Sequence, residues 1–308
     1  MKTTSFATKT TSAAPTSVVR IDALLAAGPT RSFEFFPPKS DDESSVLAST
    51  LDNLVTLRPS FVSVTYRGGR ASRQRTYDLV TRIQAEGRLV AMAHLICVGH
   101  SRSEMREILT NYLDAGVTNV MALGGDIPQD PDLVTSDFTH AIELVELARE
   151  VGEFSIGVAA HPRGHPRAAD LASDRRHLAE KLRVADFAVT QFFFRAVEWT
   201  QLVQDLADLG VTKPVLPGIM PVTTLSGIQR MADMGGEVPA QLVTRLQRAH
   251  DVGGPAAVRA EGISAASELC AELLDLEAPG LHFYTLNRST ATREIHRALF
   301  GGDDLARA

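Results

Sequence analysis

The stretch RSFEFFPPKS, residues 31–40, sets a single carboxylate, Glu34, inside a run of three phenylalanines. Read as a strand, it alternates side chains between two faces. Ser32, Glu34 and Phe36 share one face, and Phe33 and Phe35 share the other. Pro37 and Pro38 end the strand, because neither has an N–H to donate. An ionised carboxylate among aromatic rings is costly unless it is paired or keeps a proton. Glu34 therefore either has a buried partner or holds a proton that the protein uses.

Comparable runs recur along the 308 residues: FVSVTY (61–66), LVAMAHLIC (89–97), NVMALGG (119–125), SIGVAAH (155–161), AVTQFFF (188–194), PVLPGIM (214–220) and LHFYTL (281–286). Several are nearly continuous in apolar residues, as strands covered on both faces are. The segments between them read as helices. In residues 101–116, Met105, Ile108, Leu109, Tyr112 and Leu113 recur at helical spacing, with Ser101 and Glu104 as a capping box and Gly116 as the stop. Residues 136–152 carry a similar stripe ending at Gly152. Eight strands alternating with helices predict an α/β fold, a (β/α)8 (TIM) barrel. About 250 residues suffice for that fold, so the surplus falls in extra helices before the last strand, at 226–280. A doubly wound open sheet is the alternative. It is weakened because neither a G-x-G-x-x-G turn nor a Walker-type phosphate loop is present. Residues 1–18, rich in Thr, Ser and Ala, read as a flexible tail ahead of a single domain at 19–308.

Composition narrows the function. The chain is 44% hydrophobic and 22% charged, with 31 Lys and Arg against 37 Asp and Glu, a net charge of −6. That balance disfavours a nucleic-acid partner. No apolar run is long enough for a membrane span. Cys97 and Cys270 are far apart and suggest neither a disulfide framework nor a zinc site, so a reducing, cytoplasmic setting is expected. The helices at 226–280 serve either core packing or a homo-oligomer contact.

In a barrel of this kind the working face lies at the C-terminal ends of the strands. Polar residues gather there: Glu34 on strand one, Thr65 at the end of strand two, His94 on strand three, and Gly124, Gly125 and Asp126 after strand four. His161 and His165 follow strand five, Gln191 lies on strand six, and Tyr284, Asn287 and Arg288 close strand eight. Taken singly, each has a plainer reading. Glu34 could be a structural carboxylate, His94 a satisfied core histidine, Gly-Gly-Asp a turn and Gln191 a cross-link between strands. Asp174 and Lys181, on the next helix, could lie on a solvated face. The i, i+4 pair His161 and His165 has metal-ligand spacing, but Pro162 and Pro166 disfavour a helix there, and no metal is expected. As a set, these residues point to a ligand pocket.

The ordered motifs SFEFFPPK, FVSVTY, AHLIC, ALGGDIP, HPRGHP, TQFFF, LPGIMPVT and HFYTLNRS resemble the methylenetetrahydrofolate reductase family, over roughly residues 30–300. The resemblance implies a (β/α)8 barrel that binds FAD. Such an enzyme takes a hydride from NADH or NADPH and reduces 5,10-methylenetetrahydrofolate to 5-methyltetrahydrofolate, which supplies methionine synthesis. It implies Glu34 as the acid that protonates the folate and Asp126 as the aspartate that contacts the pterin near the flavin. Gln191 would contact the folate and nicotinamide substrates. Thr65, His94, Gly125, Asp126, His161, His165, Asp174 and Lys181 would line the FAD site, with Lys181 near its phosphates. Tyr284 and Arg288 would help hold the folate. Hydride transfer needs an electrophilic iminium, which forms when N10 of the folate gains a proton and leaves. An apolar wall of phenylalanines is expected to raise the pKa of Glu34, unless a cation sits near, so that it can supply that proton.

The chain also departs from the family pattern. Gly124 stands where the family usually has an arginine near the cofactor, His161 where an aromatic is common, and Leu225 where some members have an aromatic that stacks on the nicotinamide. Arg67, Arg70 or Arg163 is expected to replace the lost charge. Two alternatives stay open: direct hydride transfer from NADH to folate without flavin, and a folate-binding protein without catalysis.

Overall fold

The computed structural model describes residues 19–66, 70–125, 136–288 and 290–301. The expected flexible tail, residues 1–18, lies outside them. Parallel strands form the barrel: Thr30–Phe35 (β1), Phe61–Val64 (β2), Ala91–Ile96 (β3), Asn119–Leu123 (β4), Ser155–Ala160 (β5), Phe187–Thr190 (β6), Val215–Leu216 (β7), Gly218–Ile219 (β8) and Gly280–Tyr284 (β9). The helices are Ile21–Ala27 (α1), Asp41–Val55 (α2), Arg70–Glu86 (α3), Arg102–Asp114 (α4), Ala141–Val151 (α5), Leu171–Val184 (α6), Ala196–Asp208 (α7), Leu225–Asp233 (α8), Ala240–Asp275 (α9) and Thr290–Phe300 (α10). Each expected strand is present. Strand six stops at Thr190, so Gln191 lies in the loop after it and not on the strand.

The order β7-β6-β5-β4-β3-β2-β1-β9-β8 closes on itself through one split stave. Val215 and Leu216 pair with β6, whereas Gly218 and Ile219 pair with β9. Pro217 between them has no N–H for a ladder, and its carbonyl accepts the N–H of His282 at 3.0 Å. Thr190 sews the gap: its hydroxyl oxygen accepts the N–H of Gly218 at 2.8 Å, and its carbonyl accepts the Tyr284 hydroxyl at 2.7 Å.

Alternation then sorts the side chains. Phe33 and Phe35 point outward and are fully buried in the layer between strands and helices, with Val62, Val64, Leu109 and Tyr112. Inward residues near the N-terminal ends of the strands, Phe61, Met92, Met121, Phe187, Val189 and Leu216, form a second apolar cluster. Helix α1 plugs that end with Ile21 and Leu25, tied by Ile21 N–H to Asn119 Oδ1 at 2.8 Å and Asp22 N–H to Ser155 Oγ at 2.9 Å. The apolar plug leaves the opposite end for polar groups.

The helical signals act as read. Ser101 Oγ accepts the N–H of Glu104 at 3.1 Å, and Gly116 follows α4 at φ +75°. The other half of the expected capping box is not made, because the Glu104 carboxylate turns to His100 and Arg73. The extra helices α8 and α9 precede β9 as expected, and α9 bends at Gly254–Pro255. It packs against α7, α8 and α10 of the same chain.

Gly218 is the tightest point of the seam. A Cβ there would lie 2.2 Å from the Thr190 carbonyl oxygen and 2.6 Å from the Tyr284 ring. Gly218→Ala is expected to cost about 1–3 kcal/mol, read as a lower Tm. An unchanged Tm would contradict the closure described here.

Candidate functional site

Glu34 lies inside the barrel, where three strands converge on one of its oxygens. Ser63 Oγ, on β2, donates to Oε2 at 3.5 Å. His282 Nε2, on β9, lies 3.5 Å from the same oxygen, and its Nδ1 is 2.8 Å from Ser32 Oγ. His94 Nε2, on β3, is 3.4 Å away but makes no aligned hydrogen bond to any described residue. Among the described residues, Oε1 has no partner. The main chain is equally fixed, since the Glu34 carbonyl accepts the Thr285 hydroxyl at 2.6 Å.

This arrangement corrects the expectation for Glu34. Phe33 and Phe35 are on the outer face and do not wall the carboxylate. Burial pushes its pKa up, but the charges of His94 and His282 and the hydrogen bonds from His282 and Ser63 more than offset this, so it is held below the ordinary range. The apolar-wall reading excepted a nearby cation, and what stands there is a pair of imidazoles, one from β3 and one from β9. Burial also pushes the His94 imidazole down, against the pull of Glu34. Burial, then Glu34, raises the phenol of Tyr284 well above its ordinary value.

Of the other expected residues, Gly125, His161, His165, Asp174 and Lys181 lie in the segments after β4 and β5. Thr65 directly follows β2, and its N–H donates to Phe35 O at 2.8 Å. Gly125 follows β4 at φ +89°, and a Cβ there would meet Ile96 Cγ2 at 2.2 Å, so only glycine fits this turn. Asp126 lies outside the described residues. His161 and His165 meet edge to face with ring centroids 4.7 Å apart. Asp174 Oδ1 accepts the His165 N–H at 3.1 Å, and its Oδ2 pairs with Arg175 at 3.0 Å. Arg175 is a buried clamp that also binds Asp205 and the carbonyls of His161 and Pro162. Lys181 Nζ donates to Ala159 O at 3.3 Å, and burial pushes its pKa down while Asp174 opposes this.

Gln191 lines a cleft of about 440 Å³ with His161, Pro162, Phe192, Phe194 and Met234. Arg163, one of the arginines expected to replace the lost charge, instead pairs with Glu237 at that cleft's rim, at 2.6 Å. Arg67 lies outside the described residues, as does the side chain of Arg70. Arg288 is exposed in the loop after β9. The structure thus joins Glu34, His94 and Tyr284 in one group, and His161, His165, Asp174 and Lys181 in another. The sequence reading passed over His282, Ser63 and Arg175. Alternation marks His282, because it shares a face with Tyr284 two residues on. Among the described residues no group of three or more His, Cys, Asp or Glu is arranged to hold a metal.

His161 sets a pH dependence. Burial, then His165, pushes its pKa from 6.5 to about 4. Between those values the unfolded chain binds more protons than the folded one. Stability is therefore fully present above 6.5 and falls as the pH drops towards 4. A His161→Phe variant is expected to show a flatter Tm profile across this window, and an unaltered profile would contradict the assignment.

A family model described as methylenetetrahydrofolate reductase matches residues 20–300. The 5,10-methylenetetrahydrofolate reductase of Pectobacterium carotovorum is 35% identical over 281 residues, covering 90% of this chain and 92% of that protein. Methylenetetrahydrofolate reductase (NADH) 1 of Arabidopsis thaliana is also 35% identical, over 83% of this chain and 46% of the longer plant protein. The fold matches a Clostridium thermocellum protein described as binding two copies of 5-methyl-5,6,7,8-tetrahydrofolic acid. The TM-score is 0.65 at 10% identity, over 92% of this chain and 98% of that one. With a match that spans the barrel from α1 to α10, the chain belongs to the methylenetetrahydrofolate reductase family.

Proposed function

We infer that the protein reduces 5,10-methylenetetrahydrofolate to 5-methyltetrahydrofolate, with FAD as resident cofactor and NADH as reductant. The observation that carries this reading is the convergence of Ser63, His94 and His282 on one oxygen of Glu34, with the other left for a ligand. Burying a carboxylate with three polar partners costs solvation, and its second oxygen can still accept hydrogen bonds from a ligand. The relatives' activity supports the substrate, and the plant relative's reductant supports NADH.

The residues fit a flavin dinucleotide. Gly125 allows the tight turn after β4, His94 presents a buried nitrogen with no hydrogen-bond partner among the described residues, and His165 and Lys181 lie near His161. Thr65, His94, Gly125, His161, His165, Asp174 and Lys181 would hold it. When bound, FAD supplies a two-electron relay, so that nicotinamide and folate need not meet. Gln191 would orient the substrates through its amide, and Tyr284 and Arg288 would hold the folate. Asp126 is proposed to accept hydrogen bonds from the pterin.

Glu34 supplies the proton. At rest it is ionised, held so by the histidines. Glu34, His94 and His282 lie around one oxygen, so a proton on this group belongs to the set and not to one residue. A folate seated over Oε1 excludes water, which disfavours the charged carboxylate and favours Glu34 as the proton's location. Transfer to N10 breaks the bond between the methylene carbon and N10, whose electron pair stays on N10. The N5 lone pair then forms the iminium, and hydride at its carbon gives the methyl group. Ser32 holds His282 in the orientation that returns the next proton.

Glu34→Gln is expected to lower folate reduction about 10²- to 10⁴-fold, while NADH-dependent reduction of a quinone dye stays at the parent level. Folate reduction at the parent rate would remove Glu34 as the acid. Loss of both activities would place Glu34 in cofactor binding instead.

A further inference from the structure

Arg167 stands apart from the other arginines around the barrel mouth. It belongs to the loop between β5 and α6, yet its Nη2 crosses to the carbonyl of Gly125, after β4, at 2.9 Å. The side chain is exposed and has no carboxylate partner among the described residues. Its neighbours differ: Arg163 is committed to Glu237, and Arg175 to Asp174 and Asp205. A guanidinium has five N–H donors in a rigid fork, and one hydrogen bond leaves most of them unused. The Arg167 main chain is fixed meanwhile, since its N–H donates to His165 Nδ1 at 3.1 Å.

Burial pushes the His161 imidazole down, Lys181 and Arg167 add to the push, and Asp174 opposes it. Both oxygens of Asp174 are already engaged, by Arg175 and by the His165 N–H. Across from them, the end of β4 carries no side chains. Among the described residues, a Cβ on Gly124 would find nothing nearer than Ala141 N at 4.0 Å. An exposed guanidinium with no carboxylate partner among the described residues, held against a glycine turn, suits a phosphate.

We propose that Arg167 binds the phosphates of the flavin dinucleotide, reaching from the β5–α6 loop to the place where β4 carries no side chain. This assignment rests on the flavin reading above. It gives the chain a cation at the glycine turn from a neighbouring loop, a role that Arg163 cannot fill while it pairs with Glu237.

The test uses the full-length holoenzyme. Release of FAD on dilution, followed by recovery of flavin fluorescence, gives its Kd at several salt concentrations, and displacement by ADP isolates the phosphate-bearing half. Arg167→Ala is expected to weaken FAD and ADP alike, by about tenfold or more, because a charged hydrogen-bonding group is lost, and to flatten the salt dependence. Arg167→Lys should recover part of the loss, and Arg163→Ala should shift Kd by less than about twofold, as for an exposed ion pair. A Kd unchanged in Arg167→Ala would overturn the assignment while leaving the flavin reading intact. So would a loss of FAD without a matching loss of ADP. A parent protein that holds no FAD at any concentration would overturn the flavin reading itself, and this assignment with it.

Discussion

A carboxylate inside a barrel must be compensated by groups the barrel itself brings near. For Glu34 those groups come from three strands: Ser63 from β2, His94 from β3 and His282 from β9. Removing an ion of this size from water costs several kcal/mol even after relaxation. The offset exists only when β9 lies beside β1, so closure of the barrel and ionisation of Glu34 are one problem. Register enforces it, because Glu34 is paired with Ser63 on one side and Tyr284 on the other.

The closure is achieved through an irregular stave. Pro217 divides it, and each half serves a different neighbour. Thr190 and Tyr284 bridge what the ladder leaves open. This binds the phenol of Tyr284 into the seam, beside the carboxylate it helps to enclose. The apolar plug of α1 at the far end has the complementary effect. It fills the interior below the polar layer, so that Glu34 faces only the mouth.

Much of this was legible in the sequence, for identifiable reasons. Period-two alternation put Glu34 and the outer phenylalanines on opposite faces, and the continuous apolar runs placed the strands. The motif order pointed to the family before any geometry was known. The environment of Glu34 was not legible, because the neighbours that set its charge are distant in the chain. His282 is 248 residues away from it. The phenylalanines next to it in sequence misled, since adjacency along a strand means opposite faces. PVLPGIM read as one strand although Pro217 already marked a break. Arg167 was not singled out from the sequence, and its reach to Gly125 is what distinguishes it.

In the function proposed above, Glu34 is an ionised, histidine-held carboxylate in the free protein and takes up its proton as part of a shared set. Infrared difference spectra of the parent against Glu34→Gln, taken across a pH titration, isolate this one side chain. The carboxylate band is expected to persist below the ordinary glutamate midpoint, with a midpoint that rises when His282 is replaced by Gln. A protonated carboxyl band at neutral pH in the ligand-free protein would contradict it.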